Sequence, residues 1–234
     1  MTNHDLIGLL ASYSYAVSLL IIGEGLRRLF GVEPNLTRKV IHVGAGMWIF
    51  GVLWLFDRWE FGVLPFATFI GLNYLLYRYR IVGAMDAEDS SPGTVYFAMS
   101  VTLLFGLLWR PNGPIDQVPI AAAGVMAMTW GDALAALIGR RFGQHKYQVG
   151  NSIRSWEGSA AMFIVSTTAI FLVLSLLPGS FLSPFAVSFD KARIILASVL
   201  SGAFATVAEG VSPQGTDNLS VPLVAAGVVW LVMR

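Results

Sequence analysis

Ionisable side chains lie inside or beside long apolar stretches of this sequence, at positions where a charge is costly. They are Glu24, His42, Asp132, Glu157, Glu209 and Asp217. Asp132 lies eight residues before Arg140, roughly 12 Å along a helix that rises about 1.5 Å per residue. An ionisable group at such a depth is by default a functional candidate. Carboxylates favour Mg²⁺, and a metal with cations around phosphates is what phosphoryl transfer requires.

A basic, glycine-spaced stretch supplies such cations. Residues 139–159 read GRRFGQHKYQVGNSIRSWEGS, in a chain where only 12% of residues are charged. No phosphate-binding GxxxxGK[ST], GxGxxG, HExxH or GxSxG pattern occurs. The absence of cysteine excludes thiolate nucleophiles, zinc–thiolate sites and iron–sulfur clusters. The residues indicate a site for a phosphorylated ligand with a metal, although membrane topology alone also explains basic residues in such a loop.

The elements that position these residues are apolar helices. With 56% apolar residues and a mean hydropathy of +0.68, the chain is predicted to be a membrane protein. A span needs about 20 mostly apolar residues. Eight stretches qualify: 6–28, 40–56, 60–77, 94–109, 117–139, 157–177, 192–209 and 219–233. The prediction is an all-α, polytopic integral membrane bundle forming one transmembrane domain over residues 1–234, with seven helices as the alternative. The first stretch lacks a basic n-region and is interpreted as a retained span.

The charge distribution predicts the orientation. In an eight-helix bundle, ten Lys and Arg residues fall on one side and five on the other, which favours an outside N-terminus. The loops at 30–39, 78–93, 140–156 and 210–218 then face the cytoplasm. Each ends at a plausible helix cap: Thr37, Ser91, Ser155, and Thr216 or Asp217. The ionisable residues gather on this side, which predicts a polar cavity open to the cytoplasm. Glu24 lies on this side too, but it is interpreted as a structural residue, because Arg27 and Arg28 lie one helical turn away and can form an ion pair with it.

Five segments in order carry a resemblance to a known family. They are RKVIHVGAGMW (38–48), PGTVYFA (92–98), GDALAALIGRRFG (131–143), SIRSWEGSAAMF (152–163) and EGVSPQGTDNLSVPL (209–223). Together they resemble the CTP-dependent lipid-alcohol kinases, a group that includes phytol kinase, dolichol kinase and the yeast-type diacylglycerol kinase. The resemblance covers nearly the whole chain from Arg38 onward, and it points to the phytol and farnesol kinase branch.

The resemblance implies that the γ-phosphate of CTP, or of another nucleoside triphosphate, passes to the hydroxyl of an isoprenoid alcohol such as phytol, with Mg²⁺. It places the nucleotide-binding loop at about 140–156. The implied nucleotide and phosphate contacts are Lys39, Arg140, Arg141, Lys146, Arg154, Ser155 and Asn218. The implied catalytic residues are Asp132, Glu157 and His42, and the implied metal ligands are Asp132, Glu157, Glu209 and Asp217. Many relatives have Lys-Ser where this chain has Arg154-Ser155, and a planar guanidinium clamps phosphate differently from an ammonium.

Two alternatives stay open from the sequence. A phosphatidate cytidylyltransferase has similar parts but releases pyrophosphate; the short chain and the motifs SWEGS and TDNLSVPL favour the kinase. A transporter also keeps buried carboxylates, yet the sequence shows neither a polar path outward nor an inverted repeat. The expected partners are the bilayer, the lipid alcohol and a nucleotide, without nucleic acid. The expected location is a plasma or thylakoid membrane, if the organism is photosynthetic. The identity of the alcohol, the donor nucleotide and the oligomeric state stay open.

Overall fold

The computed structural model describes residues 1–80, 92–113, 115–149, 152–213 and 215–234. Within these ranges the chain forms eight helices and one short hairpin. The helices are α1 (Asn3–Phe30), α2 (Pro34–Leu55), α3 (Trp59–Tyr79), α4 (Gly93–Leu108), α5 (Val118–Phe142), α6 (Trp156–Leu176), α7 (Lys191–Val211) and α8 (Asp217–Met233). Each apolar stretch of the sequence is one of these helices. The eight-helix prediction is confirmed, and only the start of α2 differs from it by more than three residues.

The length and composition of the helices fit a membrane bundle. Helices α1, α3, α5, α6 and α7 are long and apolar enough to cross a membrane, and α4 and α8 are shorter apolar helices. The predicted class of helical membrane protein is therefore confirmed. The outside location of the N-terminus stays a prediction.

Helix α5 forms the centre of the bundle. It packs against α2, α4, α6, α7 and α8. Ala121, Ala122, Ala123 and Ala127 are completely buried, because small side chains let neighbouring helix backbones approach closely. Helix α1 is peripheral: it packs mainly on α2 and α3, and most of its long apolar side chains are exposed. The bundle thus has a dense half around α5 and a looser half around α1.

The predicted helix caps have different outcomes. Ser155 caps α6, because its hydroxyl accepts the Gly158 N–H at 3.1 Å, and Thr216 directly precedes α8. Thr37 is wrong as a cap. It lies inside α2 and donates to the Glu33 carbonyl at 2.8 Å, because Pro34 starts the helix one turn earlier. The fourth predicted cap, Ser91, lies outside the described residues.

A β-hairpin adds to the all-α prediction. Strands β1 (Lys146–Val149) and β2 (Ser152–Ser155) pair antiparallel, with Lys146 opposite Ser155. The hairpin is fastened to the start of α6, since the Trp156 N–H donates to the His145 carbonyl at 3.0 Å and the Tyr147 ring packs 5.2 Å from the Trp156 ring. The predicted loop at 140–156 is thus partly the end of α5 and partly an ordered hairpin.

A glycine sets the distance between α2 and α5. A Cβ on Gly46 would lie 2.1 Å from Oγ1 of Thr129. Thr129 cannot turn away freely, because it is completely buried and its hydroxyl donates to the Val125 carbonyl at 2.8 Å. Gly46 lies one turn from His42 and Thr129 lies three residues from Asp132. The close approach therefore positions these two candidate residues.

We expect Gly46→Ala to lower the free energy of unfolding by about 1–3 kcal/mol, the usual cost of overpacking. It should also lower activity, because α2 moves away from α5. The matched control is Gly71→Ala on α3, where an added Cβ meets no atom within 4 Å, so no loss is expected. Thermal unfolding of the purified proteins in detergent tests this. Equal melting temperatures for Gly46→Ala and wild type would contradict it.

Candidate functional site

One large cavity of about 1160 Å³ extends through the looser half of the bundle. Pockets for one small ligand are commonly about 300–1,000 Å³, so this cavity has room for more than one ligand. It has two ends of different chemistry. The polar end lies under the hairpin and the starts of α2 and α8, and the apolar arm lies between α1, α2, α3 and α4.

The polar end collects opposite charges from distant parts of the chain. The cations are Arg38, Lys39, Arg140, Lys146 and Arg154, and the carboxylates are Asp132, Glu209 and Asp217. Arg38, Arg140 and Lys146 form no ion pair with any residue that the structure describes. Since the cations outnumber the carboxylates, this end of the cavity suits a polyanion such as a nucleotide triphosphate.

Asp132 lies at the crossing of α2 and α5. Lys39 Nζ forms a hydrogen-bonded ion pair with Oδ2 of Asp132, and His42 Nε2 lies 3.8 Å from the same oxygen. Among the described residues, Nε2 has no hydrogen-bond partner. A carboxylate, an ammonium and an imidazole therefore meet in one place.

The His42 ring also connects this charged cluster to the apolar arm. Its centroid lies 5.2 Å from that of Phe97 on α4, and Phe97 belongs to the cavity lining together with Ala98 and Val101. The charged groups and the apolar surface therefore adjoin without an intervening layer.

The hairpin is held over the polar end by Arg154. Its guanidinium forms an ion pair with Glu209 on α7 and donates to the Ser212 carbonyl at 3.0 Å. Both Arg154 and Glu209 side chains are only 13% exposed. Asp217 starts α8 nearby, and the charges of Asp132, Lys39 and Arg154 all act on it. Asn218 follows and also lines the cavity.

Ten of the predicted site residues line this cavity. They are Lys39, His42, Asp132, Arg140, Lys146, Arg154, Ser155, Glu209, Asp217 and Asn218. Their individual roles stay predictions. Glu24 lies elsewhere and pairs with both Arg27 and Arg28, so its interpretation as a structural ion pair is confirmed.

Two predicted residues lie outside the cavity lining. Glu157 accepts from His145, whose Nδ1 is 2.7 Å from Oε1 of Glu157 and whose backbone N–H is 3.2 Å from it. Arg141 is exposed, with its guanidinium 5.7 Å from the centre of the Phe142 ring. The resemblance implied catalytic and metal roles for Glu157 and a phosphate contact for Arg141. These roles stay predictions. In the structure, Glu157 links α6 to His145, which directly precedes the hairpin.

A magnesium ion fits the polar end of the cavity when a bound nucleotide supplies some of its ligands. Among the described residues, no three His, Asp or Glu side chains are grouped as a metal site. Asp132 and Asp217 nevertheless line the same polar end. Mg²⁺ is commonly held by one or two carboxylates together with substrate phosphates. The donor set fits Mg²⁺ in that form.

The sequence interpretation missed several residues of the lining. Arg38 belongs to the RKVIHVGAGMW motif but was not predicted as a site residue. Asn73 on α3 was not predicted either, although a polar amide within an apolar span itself indicates a functional residue. Asn73 lines the cavity and donates to the Thr94 carbonyl at 3.1 Å. The apolar arm could not be predicted from the sequence, because the Leu, Phe, Ala and Tyr residues that line it are typical of any membrane helix.

The fold and the cavity define a helical membrane protein in which a charged pocket opens directly into an apolar one. Curated proteins similar to this chain agree on one activity. A phytol kinase from Synechocystis sp. is 36% identical over 230 residues, covering 96% of this chain and 90% of its own length. A probable chloroplastic phytol kinase from Triticum aestivum is 32% identical, covering 93% of this chain and 74% of its own length.

A chloroplastic phytol kinase from Arabidopsis thaliana is 26% identical over 97% of this chain. No protein-family model and no solved structure matches the chain. The chain belongs to the phytol kinase family, and the protein is a kinase.

Proposed function

We propose that this protein transfers the γ-phosphate of CTP to the hydroxyl of an isoprenoid alcohol such as phytol, and that it does so within the membrane. One observation carries the proposal. A single cavity joins a cation-rich end to an apolar arm, and Asp132, Lys39 and His42 lie between the two. A kinase acting on a membrane alcohol requires this arrangement, because its two substrates differ completely in polarity. The names of the relatives support phytol or a similar prenol as the acceptor.

The nucleotide binds at the polar end. Arg38, Arg140 and Lys146 line it without an ion pair to any described residue, so they are available for phosphate oxygens. Charge-assisted hydrogen bonds of this kind are roughly twice as strong as neutral ones. Asn218 lies at the same end, where its amide can contact the ribose. Positive-inside counting supports a cytoplasmic location for this end, which gives the nucleotide direct access.

The alcohol lies in the apolar arm with its hydroxyl beside Asp132. The hydroxyl oxygen attacks the γ-phosphorus, and the bond from that phosphorus to the β,γ-bridging oxygen breaks. The products are the lipid monophosphate and CDP. The hydroxyl proton passes to the Asp132 carboxylate, which the Lys39 ammonium holds in position. His42 Nε2 lies 3.8 Å from the same carboxylate oxygen, so its ring lies beside the hydroxyl in this proposal. Asp217 would hold Mg²⁺ together with the phosphates, and the ion would neutralise part of the phosphate charge.

The depth of Asp132 follows from the chemistry of the acceptor. An isoprenoid alcohol is too apolar to leave the bilayer, since each buried CH₂ contributes about 0.8 kcal/mol. The group that receives the hydroxyl proton must therefore lie below the membrane surface. This requirement explains why the carboxylate of Asp132 lies inside α5 and not in a loop.

The test is a transfer assay with purified protein in detergent and Mg²⁺. CTP and ATP, each labelled at the γ-phosphate, are offered with phytol, geranylgeraniol, dolichol, diacylglycerol or phosphatidate. We expect label from CTP in phytyl monophosphate. Release of labelled pyrophosphate only with phosphatidate would instead identify a cytidylyltransferase. Label moving from ATP but not from CTP would overturn the donor while keeping the acceptor.

A further inference from the structure

Helices α1 and α3 lie side by side and run in the same direction, because α2 reverses the chain between them. They meet at Tyr13. Its hydroxyl lies 2.8 Å from Oγ1 of Thr68, and its ring packs edge-on against Phe69, with centroids 5.6 Å apart. This contact closes the seam between α1 and α3 at the height of Tyr13.

One turn further towards the polar end, the seam is open. Val17 on α1 and Leu72 on α3 both line the cavity, yet their exposed fractions are 56% and 44%. A side chain that lines a cavity and is also half exposed lies at its mouth. The apolar arm therefore reaches the lipid-facing surface of the bundle between these two residues.

The seam between α1 and α2, beside the same arm, is closed by two contacts. The Tyr15 and Trp48 rings stack with centroids 4.2 Å apart and 16° between their planes. Trp48 Nε1 donates to Ser12 Oγ at 3.1 Å. The polar end offers another way into the arm, but it leads past the cations, where burying a long hydrocarbon chain would displace the hydration of those charges.

We propose that the α1–α3 seam at Val17 and Leu72 is the entrance through which the isoprenoid alcohol passes sideways from the bilayer into the cavity. The alcohol keeps its tail in apolar surroundings throughout, while its hydroxyl reaches the Lys39–Asp132 pair. This inference rests on the proposed function and adds the route and the contact residues of its lipid substrate.

The absence of cysteine from the chain makes single-cysteine labelling a direct test. The variants are Val17→Cys and Leu72→Cys. The matched controls, Ile22→Cys on α1 and Leu75→Cys on α3, are 51% and 48% exposed in the native residues and lie outside the cavity lining. Each variant is placed in phosphatidylcholine nanodiscs and labelled with a membrane-soluble maleimide, with and without phytol. No nucleotide is added.

We expect phytol to slow labelling at positions 17 and 72 and to leave positions 22 and 75 unchanged. At about ten times the dissociation constant only about one tenth of the sites are free, so labelling should slow about tenfold. Equal slowing at all four positions, or none at 17 and 72, would overturn the entrance. All four substitutions are at exposed sites, and melting temperatures equal to wild type verify the fold.

The labelling readout separates this inference from the proposed function. Phosphorylation of phytol by the wild-type protein without protection at 17 and 72 would refute the entrance and leave the kinase reaction intact. Protection at 17 and 72 without phosphorylation would support the entrance and refute the proposed reaction.

Discussion

Replacing Asp132 by Asn lowers kcat for phosphoryl transfer about 10²–10⁴-fold, the usual contribution of a positioned acid or base. The amide keeps the size of the carboxylate and an oxygen for Lys39, but it cannot take the hydroxyl proton. Nucleotide affinity should change little, because Arg38, Arg140 and Lys146 stay in place. The measurement is a steady-state assay with CTP and phytol, with nucleotide binding determined separately by calorimetry.

The matched control for Asp132→Asn is Glu24→Gln. Glu24 is also a carboxylate within a helix and also pairs with basic side chains, but it lies outside the cavity lining. We expect its variant to keep kcat within about twofold, since exposed ion pairs contribute only about 0–1 kcal/mol. A near-normal kcat for Asp132→Asn would remove Asp132 from the reaction.

Replacing Arg154 by Met destabilises the protein by about 3–5 kcal/mol. The substitution leaves Glu209, which is only 13% exposed, without its cation, and an unpaired buried charge costs about that much. It also frees the Ser212 carbonyl, to which Arg154 donates at 3.0 Å. Because this arginine holds the hairpin over the polar end, nucleotide affinity should fall as well. Thermal unfolding and calorimetric titration with CTP measure the two effects.

A second substitution separates stability from binding. In Arg154→Met/Glu209→Met no charge is left unpaired, so most of the lost stability should return, whereas affinity for CTP should stay low because the cation is still missing. Arg27→Met is the control: its partner Glu24 keeps Arg28, and the effect should be at most about 1 kcal/mol. Recovery of CTP affinity in the double variant would show that Arg154 acts only on stability.

The sequence determined the helices of this protein, because the signal for each is local. The eight apolar stretches become α1 to α8 wherever they occur. The same local logic predicted the Ser155 cap and the pairing of Glu24 with Arg27 and Arg28, which lie one helical turn away. The rarity of ionisable residues in the spans indicated Asp132 and His42, whereas Lys39 was implied by the family resemblance.

The tertiary structure decided which of these residues meet. Lys39 and Asp132 are 93 residues apart in sequence, and they make contact because Gly46 lets α2 lie against Thr129 of α5. Glu157 and Arg141 satisfied the same sequence criteria, yet they lie outside the cavity lining. Glu157 accepts from His145, and the Arg141 guanidinium lies over the Phe142 ring.

The apolar arm depended entirely on packing. The side chains that line it have the same composition as side chains that face lipid. The hydrophobicity pattern of a helix shows which of its faces are apolar. The width of the gap between two helices depends instead on how their side chains pack. The sequence therefore determined that this protein has membrane helices with charged groups in them. The packing of α1 against α3 and of α2 against α5 decided where those charged groups adjoin an apolar cavity.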